Sequence, residues 1–101
     1  MLNGKQRAYL RGLAIGAEPV VQIGKNGVTP EVTKSADEAL AARELIKISV
    51  LANSMTDARE VAEILRERTR SQVVGVTGGK ITLYRAPNPG AKTKPVIELP
   101  K

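Results

Sequence analysis

The chain has 101 residues, enough for one domain with a modest core, and it contains neither cysteine nor histidine. These absences exclude disulfides and thiolate zinc sites and remove the commonest general base, so we expect a non-enzyme with no catalytic residue, metal or cofactor. Sixteen Lys and Arg against ten Asp and Glu give a net charge of +6, and the aromatic residues are limited to Tyr9 and Tyr84.

A helix and a strand are predicted before residue 24. Asn3 and Gln6 form a capping-box pattern, which predicts that a helix begins at this point. One side of this helix is covered by Gln6, Tyr9, Leu10, Leu13 and Ala14. The apolar residues 19–23 then predict a buried strand.

A second helix and a second strand follow. Thr29 is a good N-cap and Pro30 occupies the first helical position, which proline favours. The apolar stripe of this helix ends near Arg43 or Glu44. Residues 45–51 alternate between apolar and other side chains, which predicts a strand.

The remaining part of the chain predicts a helix, a hairpin and a tail. Asp57 marks the start of a third helix. Residues 71–77 and 80–86 predict two strands joined at Gly78-Gly79, a pair that accepts the positive φ angles of a tight turn. From residue 87 the composition changes to Pro, Gly, Lys and Asn, so we expect one domain over residues 1–86 and a C-terminal tail over residues 87–101.

The predicted order is therefore α-β-α-β-α-β-β, an α/β fold. Helical crossovers make the first three strands parallel if they share a sheet, and the hairpin makes the fourth antiparallel to the third. This order predicts a mixed four-stranded sheet packed with three helices.

The most informative local motif is Gly24-Lys25-Asn26-Gly27, between the first strand and the second helix. Neither glycine has a Cβ that would keep a ligand away from the backbone. A helix N-terminus directly downstream carries unpaired N–H groups and partial positive charge, which suit a phosphate, and Lys25 adds a full charge. We interpret the motif as a clamp for a phosphodiester backbone; the alternative is a turn that merely reverses the chain.

The excess positive charge lies in residues 1–28 and 71–101. Lys5, Arg7 and Arg11 place it on the first helix, close in sequence to Lys25. This asymmetry indicates a surface that faces a polyanion. The third helix balances its charges three and four residues apart, which is typical of a solvated surface.

Further candidates for anion contact are Lys47, Lys80 and Arg85. Lys47 lies on a predicted strand, where it either reaches a ligand on the sheet face or extends its ammonium to solvent. Tyr84 either stacks on a base or packs under a helix. Residues 75–82 resemble a nucleotide-binding P-loop but lack its spacing and are followed by a strand, so a hairpin turn is favoured.

Four segments together resemble the CRM domain, named for chloroplast RNA splicing and ribosome maturation, in its stand-alone bacterial YhbY form. The segments are residues 4–11, 19–27, 44–47 and 84–85. The resemblance covers residues 2–86. It implies a fold similar to the C-terminal domain of bacterial translation initiation factor three, and RNA binding through Gly24, Lys25, Asn26 and Gly27 with the basic first helix.

The resemblance also implies association with precursors of the large ribosomal subunit. The leading hypothesis is an RNA-binding protein that assists assembly of that subunit, acting as a monomer. Since no signal-peptide pattern and no apolar run of about 18 residues occurs, we expect a cytoplasmic protein without membrane contact. The alternative is a protein-binding adaptor on assembly intermediates that uses the sheet face or the apolar run Val96-Ile97-Glu98-Leu99.

Overall fold

A computed structural model of the chain describes residues 2–86. This part of the chain forms three helices and four strands, which confirms the predicted α/β fold. In chain order they are α1 (Gly4–Ala14), β1 (Val21–Ile23), α2 (Pro30–Arg43), β2 (Leu45–Val50), α3 (Ala58–Thr69), β3 (Gln72–Thr77) and β4 (Lys80–Tyr84). The predicted tail, residues 87–101 with its apolar run, lies outside the described residues.

The helices begin where their capping residues predict. The Asn3 carboxamide accepts a hydrogen bond from the Gln6 N–H at 2.8 Å, and the Gln6 carboxamide accepts one from the Asn3 N–H at 3.1 Å. The Thr29 hydroxyl and the Asp57 carboxylate each accept from the N–H group three residues later. Each bond satisfies a donor that the first turn of a helix leaves unpaired.

The sheet has the strand order β1-β2-β4-β3. β1 is parallel to β2, and β4 lies between β2 and β3, antiparallel to both. The first three strands therefore run in the same direction, as their helical crossovers predicted. β1 and β2 end at the edge of the sheet that also carries the β3–β4 turn, because the Val50 N–H donates to the Gly79 carbonyl at 2.7 Å.

The two faces of the sheet bury cores of unequal size. α2 and α3 cover one face and form the main core with Val21, Ile23, Ala36, Leu40, Ile46, Ile48, Val61, Ala62, Leu65, Ile81 and Leu83. α1 covers part of the opposite face, where the smaller core comprises Leu2, Leu10, Val74 and Tyr84, with Leu45 packed against it. α1 thus leaves part of its sheet face uncovered.

A β-bulge allows β3 to contribute side chains to both cores. The pairing of β3 with β4 shifts between Val73 and Gly75. Because of this shift, Val73 and Val76 both pack against the main core although three positions separate them, while Val74 packs under α1.

The apolar side of α1 is narrower than predicted. Leu10 and Ala14 are buried, but Tyr9 and Leu13 are 43% and 46% exposed. The prediction that Tyr9 packs in the core was therefore wrong. A single helix on a sheet buries the positions along its line of contact, and residues 9 and 13 are rotated about 100° from residues 10 and 14.

Candidate nucleic-acid interface

The Gly24-Lys25-Asn26-Gly27 loop is a tight turn at the end of β1. The Gly27 N–H donates to the Gly24 carbonyl at 3.0 Å and closes the turn. Lys25 and Asn26 occupy its tip, and both are exposed. Gly27 has a φ of 67°, a conformation that residues with a side chain rarely adopt. The loop therefore presents a lysine and an amide to solvent on a hydrogen-bonded turn.

The N-terminus of α2 has few donors available for a ligand. Pro30 has no N–H, and the Val32 N–H is bonded to the Thr29 hydroxyl at 3.2 Å. Glu31 places a carboxylate in the same first turn. This terminus therefore differs from the donor-rich one predicted from the sequence, and the positive charge at the site comes from Lys25.

A second loop, residues 51–57, lies beside the first. The Leu51 N–H donates to the Ile23 carbonyl at 2.8 Å. A Cβ placed on Gly24 would lie 3.7 Å from the Asn53 carboxamide oxygen, and one on Gly27 would lie 3.8 Å from the Thr56 hydroxyl. Sequence reasoning missed these polar neighbours. The parallel pairing of β1 with β2 was the available signal, because parallel neighbours end at the same edge.

The basic residues of α1 are exposed along the helix. α1 begins near Gln72, whose side-chain oxygen accepts from the Leu2 N–H at 2.8 Å. It ends near Gly75, where a Cβ would lie 3.4 Å from Cδ of Arg11. The aliphatic part of the Arg11 side chain therefore lies over Gly75, where the side chain of any other residue would crowd it. Lys5 and Arg7 lie in the first half of α1, toward the opposite end of the sheet.

Arg11, Lys47 and Lys80 line one groove between α1 and the uncovered part of the sheet. The groove has a volume of about 560 Å³. The Lys80 ammonium donates to the Ser49 hydroxyl at 2.9 Å. Lys80 directly follows the turn that bonds to the end of β2, so the groove extends to the edge of the sheet at which β1 and its loop also end.

Arg85 lies at the other end of the sheet and on the other face. Its guanidinium forms an ion pair with Asp37 on α2. It also donates to the carbonyls of Thr69, at the end of α3, and of Asp37, at 2.8 and 3.0 Å. The structure therefore gives Arg85 a structural role and does not bring it together with the other predicted contacts.

Tyr84 is buried beneath α1, with 3% of its surface exposed. Burial, and to a smaller degree the nearby Glu44 carboxylate, raises the pKa of the Tyr84 hydroxyl. Of the two roles predicted for this residue, packing under a helix is the observed one. On α3, Arg66 pairs with Glu63 at 2.8 Å on the surface, in keeping with a solvated helix face.

Within residues 2–86, no group of three or more acidic side chains is arranged to hold a metal ion. None of the helices in this part of the chain is both long and apolar enough to cross a bilayer. What the described residues do offer is an exposed lysine-bearing loop and a basic groove.

The fold and these features define a small α/β domain with exposed basic residues and a basic groove. The chain belongs to the CRS1 / YhbY (CRM) domain family, whose model matches residues 2–85, so the family predicted from the four sequence segments is confirmed.

Two relatives and one solved structure have sequences similar to this chain. The chain is 46% identical to the Probable RNA-binding protein YqeI of Bacillus subtilis, over 99% of this chain and 100% of the relative. It is 41% identical to the Probable RNA-binding protein MJ0652 of Methanocaldococcus jannaschii, over 83% of this chain and 63% of the relative. The solution structure of the hypothetical protein SAV1595 from Staphylococcus aureus matches with a TM-score of 0.78 and 46% identity, over 99% of this chain and 100% of that chain.

Proposed function

We propose that this protein binds RNA and contacts its phosphate backbone through the Gly24–Gly27 loop. The observation that carries the proposal is the hydrogen-bonded turn with Lys25 exposed at its tip, at the edge of the sheet that the groove with three more cations also reaches. The relatives named as RNA-binding proteins support RNA as the polyanion. Cationic side chains that neutralise phosphates release counterions, and this release favours binding to any RNA sequence.

Recognition in this proposal depends on charge and shape. Tyr84 is buried, so it offers no ring to a base, and the chain has one further aromatic residue, the half-exposed Tyr9. Proteins that read single strands by stacking present several exposed rings. The Gly24–Gly27 loop and the exposed basic residues of α1, which are Lys5, Arg7 and Arg11, instead suit the backbone of a structured RNA.

The proposed target is precursor RNA of the large ribosomal subunit, bound by the monomeric protein in the cytoplasm during assembly. Support for this target is the family resemblance described above. Crosslinking the protein to RNA in cells and mapping the sites tests it. Sites concentrated in large-subunit precursor RNA are expected, and sites spread evenly over cellular RNA would contradict it.

Replacing Lys25 by Ala tests the loop contact. We expect weaker binding to every RNA tested, and a salt dependence of log Kd that is shallower by about one unit, because one phosphate contact is lost. Fluorescence anisotropy over a series of salt concentrations measures both quantities.

Arg68→Ala is the control for this variant. Arg68 is an exposed residue in the last turn of α3, so its loss removes a similar charge from the opposite end of the domain. If Lys25→Ala and Arg68→Ala change affinity and salt dependence equally, the loop has no special role.

A further inference from the structure

The groove beside α1 is open because its walls carry small residues. Ala8, Gly12 and Ile15 lie on one side of α1 and form an apolar wall. Gly12 has nothing within 4 Å of the position that a Cβ would take. Gly75 stands opposite in β3, where the Arg11 stem lies across it. The resulting volume of about 560 Å³ is in the range of small-molecule sites.

The floor of the groove is polar. Thr82 and Thr77 line it together with Lys47 and Lys80. Thr82 is 8% exposed, and within residues 2–86 its hydroxyl makes no hydrogen bond. The Lys47 ammonium likewise has no partner in this part of the chain. Thr82 lines the groove and its hydroxyl has no protein partner in this part of the chain, so the hydroxyl is available to a ligand.

The charge of the groove selects the kind of ligand. Arg11, Lys47 and Lys80 are cationic, and no carboxylate is among the residues that line the groove. An anionic group is therefore favoured near the lysines, and a flat apolar group against the wall of α1. A nucleotide combines a phosphate, a sugar with hydroxyl groups and a ring with apolar faces, in that order.

We propose that the groove binds one unpaired nucleotide of the RNA. Lys47 and Lys80 bind its phosphate, the Thr82 hydroxyl bonds to its ribose or base edge, and the base lies against Ala8 and Gly12. The inference rests on the proposed RNA binding and adds to it a preference for RNA with an extruded nucleotide. A continuous duplex cannot place a base in the groove, because its bases are paired and stacked.

Gly12→Leu tests the groove with little risk to the fold. Its side chain would enter the open space, and leucine is a better helix former than glycine. The probes are an RNA duplex and the same duplex with a single-nucleotide bulge. We expect the unmodified protein to prefer the bulged RNA, and Gly12→Leu to reduce that preference by about five-fold or more. Gly12→Ala is the control, because it adds one methyl group and leaves the groove largely open.

Lys47→Met is an independent test that retains the side-chain stem and removes the charge. It should also lower the preference for the bulged RNA, whereas Lys25→Ala should weaken binding to both RNAs by the same factor. The inference is overturned if the unmodified protein binds both RNAs equally, or if Gly12→Leu and Lys47→Met keep the preference. A failure of the proposed function appears differently, as an absence of any effect of Lys25→Ala on either RNA.

Discussion

At the scale of single residues, the two glycines of the Gly24–Gly27 loop have different roles. Gly27 adopts a φ of 67°, so its backbone conformation favours glycine. Gly24 has no positive φ, and a Cβ there would make ordinary contacts, with 3.7 Å to the nearest atom. Gly27 therefore shapes the turn, whereas Gly24 keeps the surface of the loop open.

This difference predicts unequal effects on stability. Gly27→Ala should lower the free energy of unfolding by about 1–2 kcal/mol, because alanine is strained at positive φ. Gly24→Ala should change it by less than about 0.5 kcal/mol. Urea denaturation followed by circular dichroism measures both values. Equal losses in the two variants would show that the turn does not depend on the conformation of Gly27.

The two tyrosines show what local patterns leave undecided. Helical periodicity predicted that Tyr9 packs in the core on one side of α1, yet Tyr9 is 43% exposed. For Tyr84, the sequence left stacking on a base and packing under a helix as alternatives, and the side chain is buried. The outcome depends on which part of the sheet α1 covers. That placement follows from the packing of Leu2 and Leu10 against Val74, which is far from them in sequence. A local sequence pattern therefore cannot predict it.

At the scale of helices and strands, the sequence predicted most of what the structure shows. Each helix begins after the predicted cap, because the caps at Asn3, Thr29 and Asp57 are local hydrogen bonds. The position of β4 between β2 and β3 was not predicted, since pairing of β2 with β4 joins distant segments. The groove was missed for the same reason: Arg11, Lys47 and Lys80 meet only through that pairing.

Arg85 connects three elements, and its loss should affect stability more than RNA binding. Its guanidinium links the end of β4 to Asp37 of α2 and to the carbonyl of Thr69 in α3. Arg85→Ala leaves these groups without their donor, so we expect a loss of about 1–3 kcal/mol in the free energy of unfolding. Arg66→Ala, which breaks an exposed pair with Glu63, should cost much less.

Thermal and urea denaturation compare the two arginine variants, and anisotropy measures their RNA affinity. If Arg85→Ala weakens RNA binding while stability is unchanged, Arg85 is a contact residue and the structural role is contradicted. Arg85 differs from the proposed contacts in its surroundings, because its guanidinium is bound to groups of α2 and α3 on the other face of the sheet, so it is not expected to contact RNA.

At the scale of the whole molecule, Tyr84 makes stability depend on alkaline pH. Burial raises the pKa of its hydroxyl, so the folded protein holds this proton more tightly than the unfolded chain does. Stability should therefore be unaffected below the ordinary tyrosine pKa of about 10 and fall as the pH rises above it.

Tyr84→Phe should remove the part of the fall in stability at alkaline pH that comes from this hydroxyl. The stability of this variant near neutral pH can differ from that of the unmodified protein. Urea midpoints measured from about pH 8 to pH 11 give the slopes, with Tyr9→Phe as the matched control. Identical slopes for Tyr84→Phe and the unmodified protein would show that the buried hydroxyl does not contribute.

The unequal cores on the two sheet faces have a consequence for how the domain opens. α2 and α3 are held by the main core, whereas α1 is held by four buried side chains and their neighbours. Since local opening favours the element with the fewest buried contacts, we expect α1 to separate from the sheet before α2 and α3 do. Because α1 carries Arg7 and Arg11 while the sheet carries Lys47 and Lys80, this motion changes the distance between the two sets of cations. The proposed RNA-binding surface is therefore expected to be more adaptable than the main core, which this motion would leave intact.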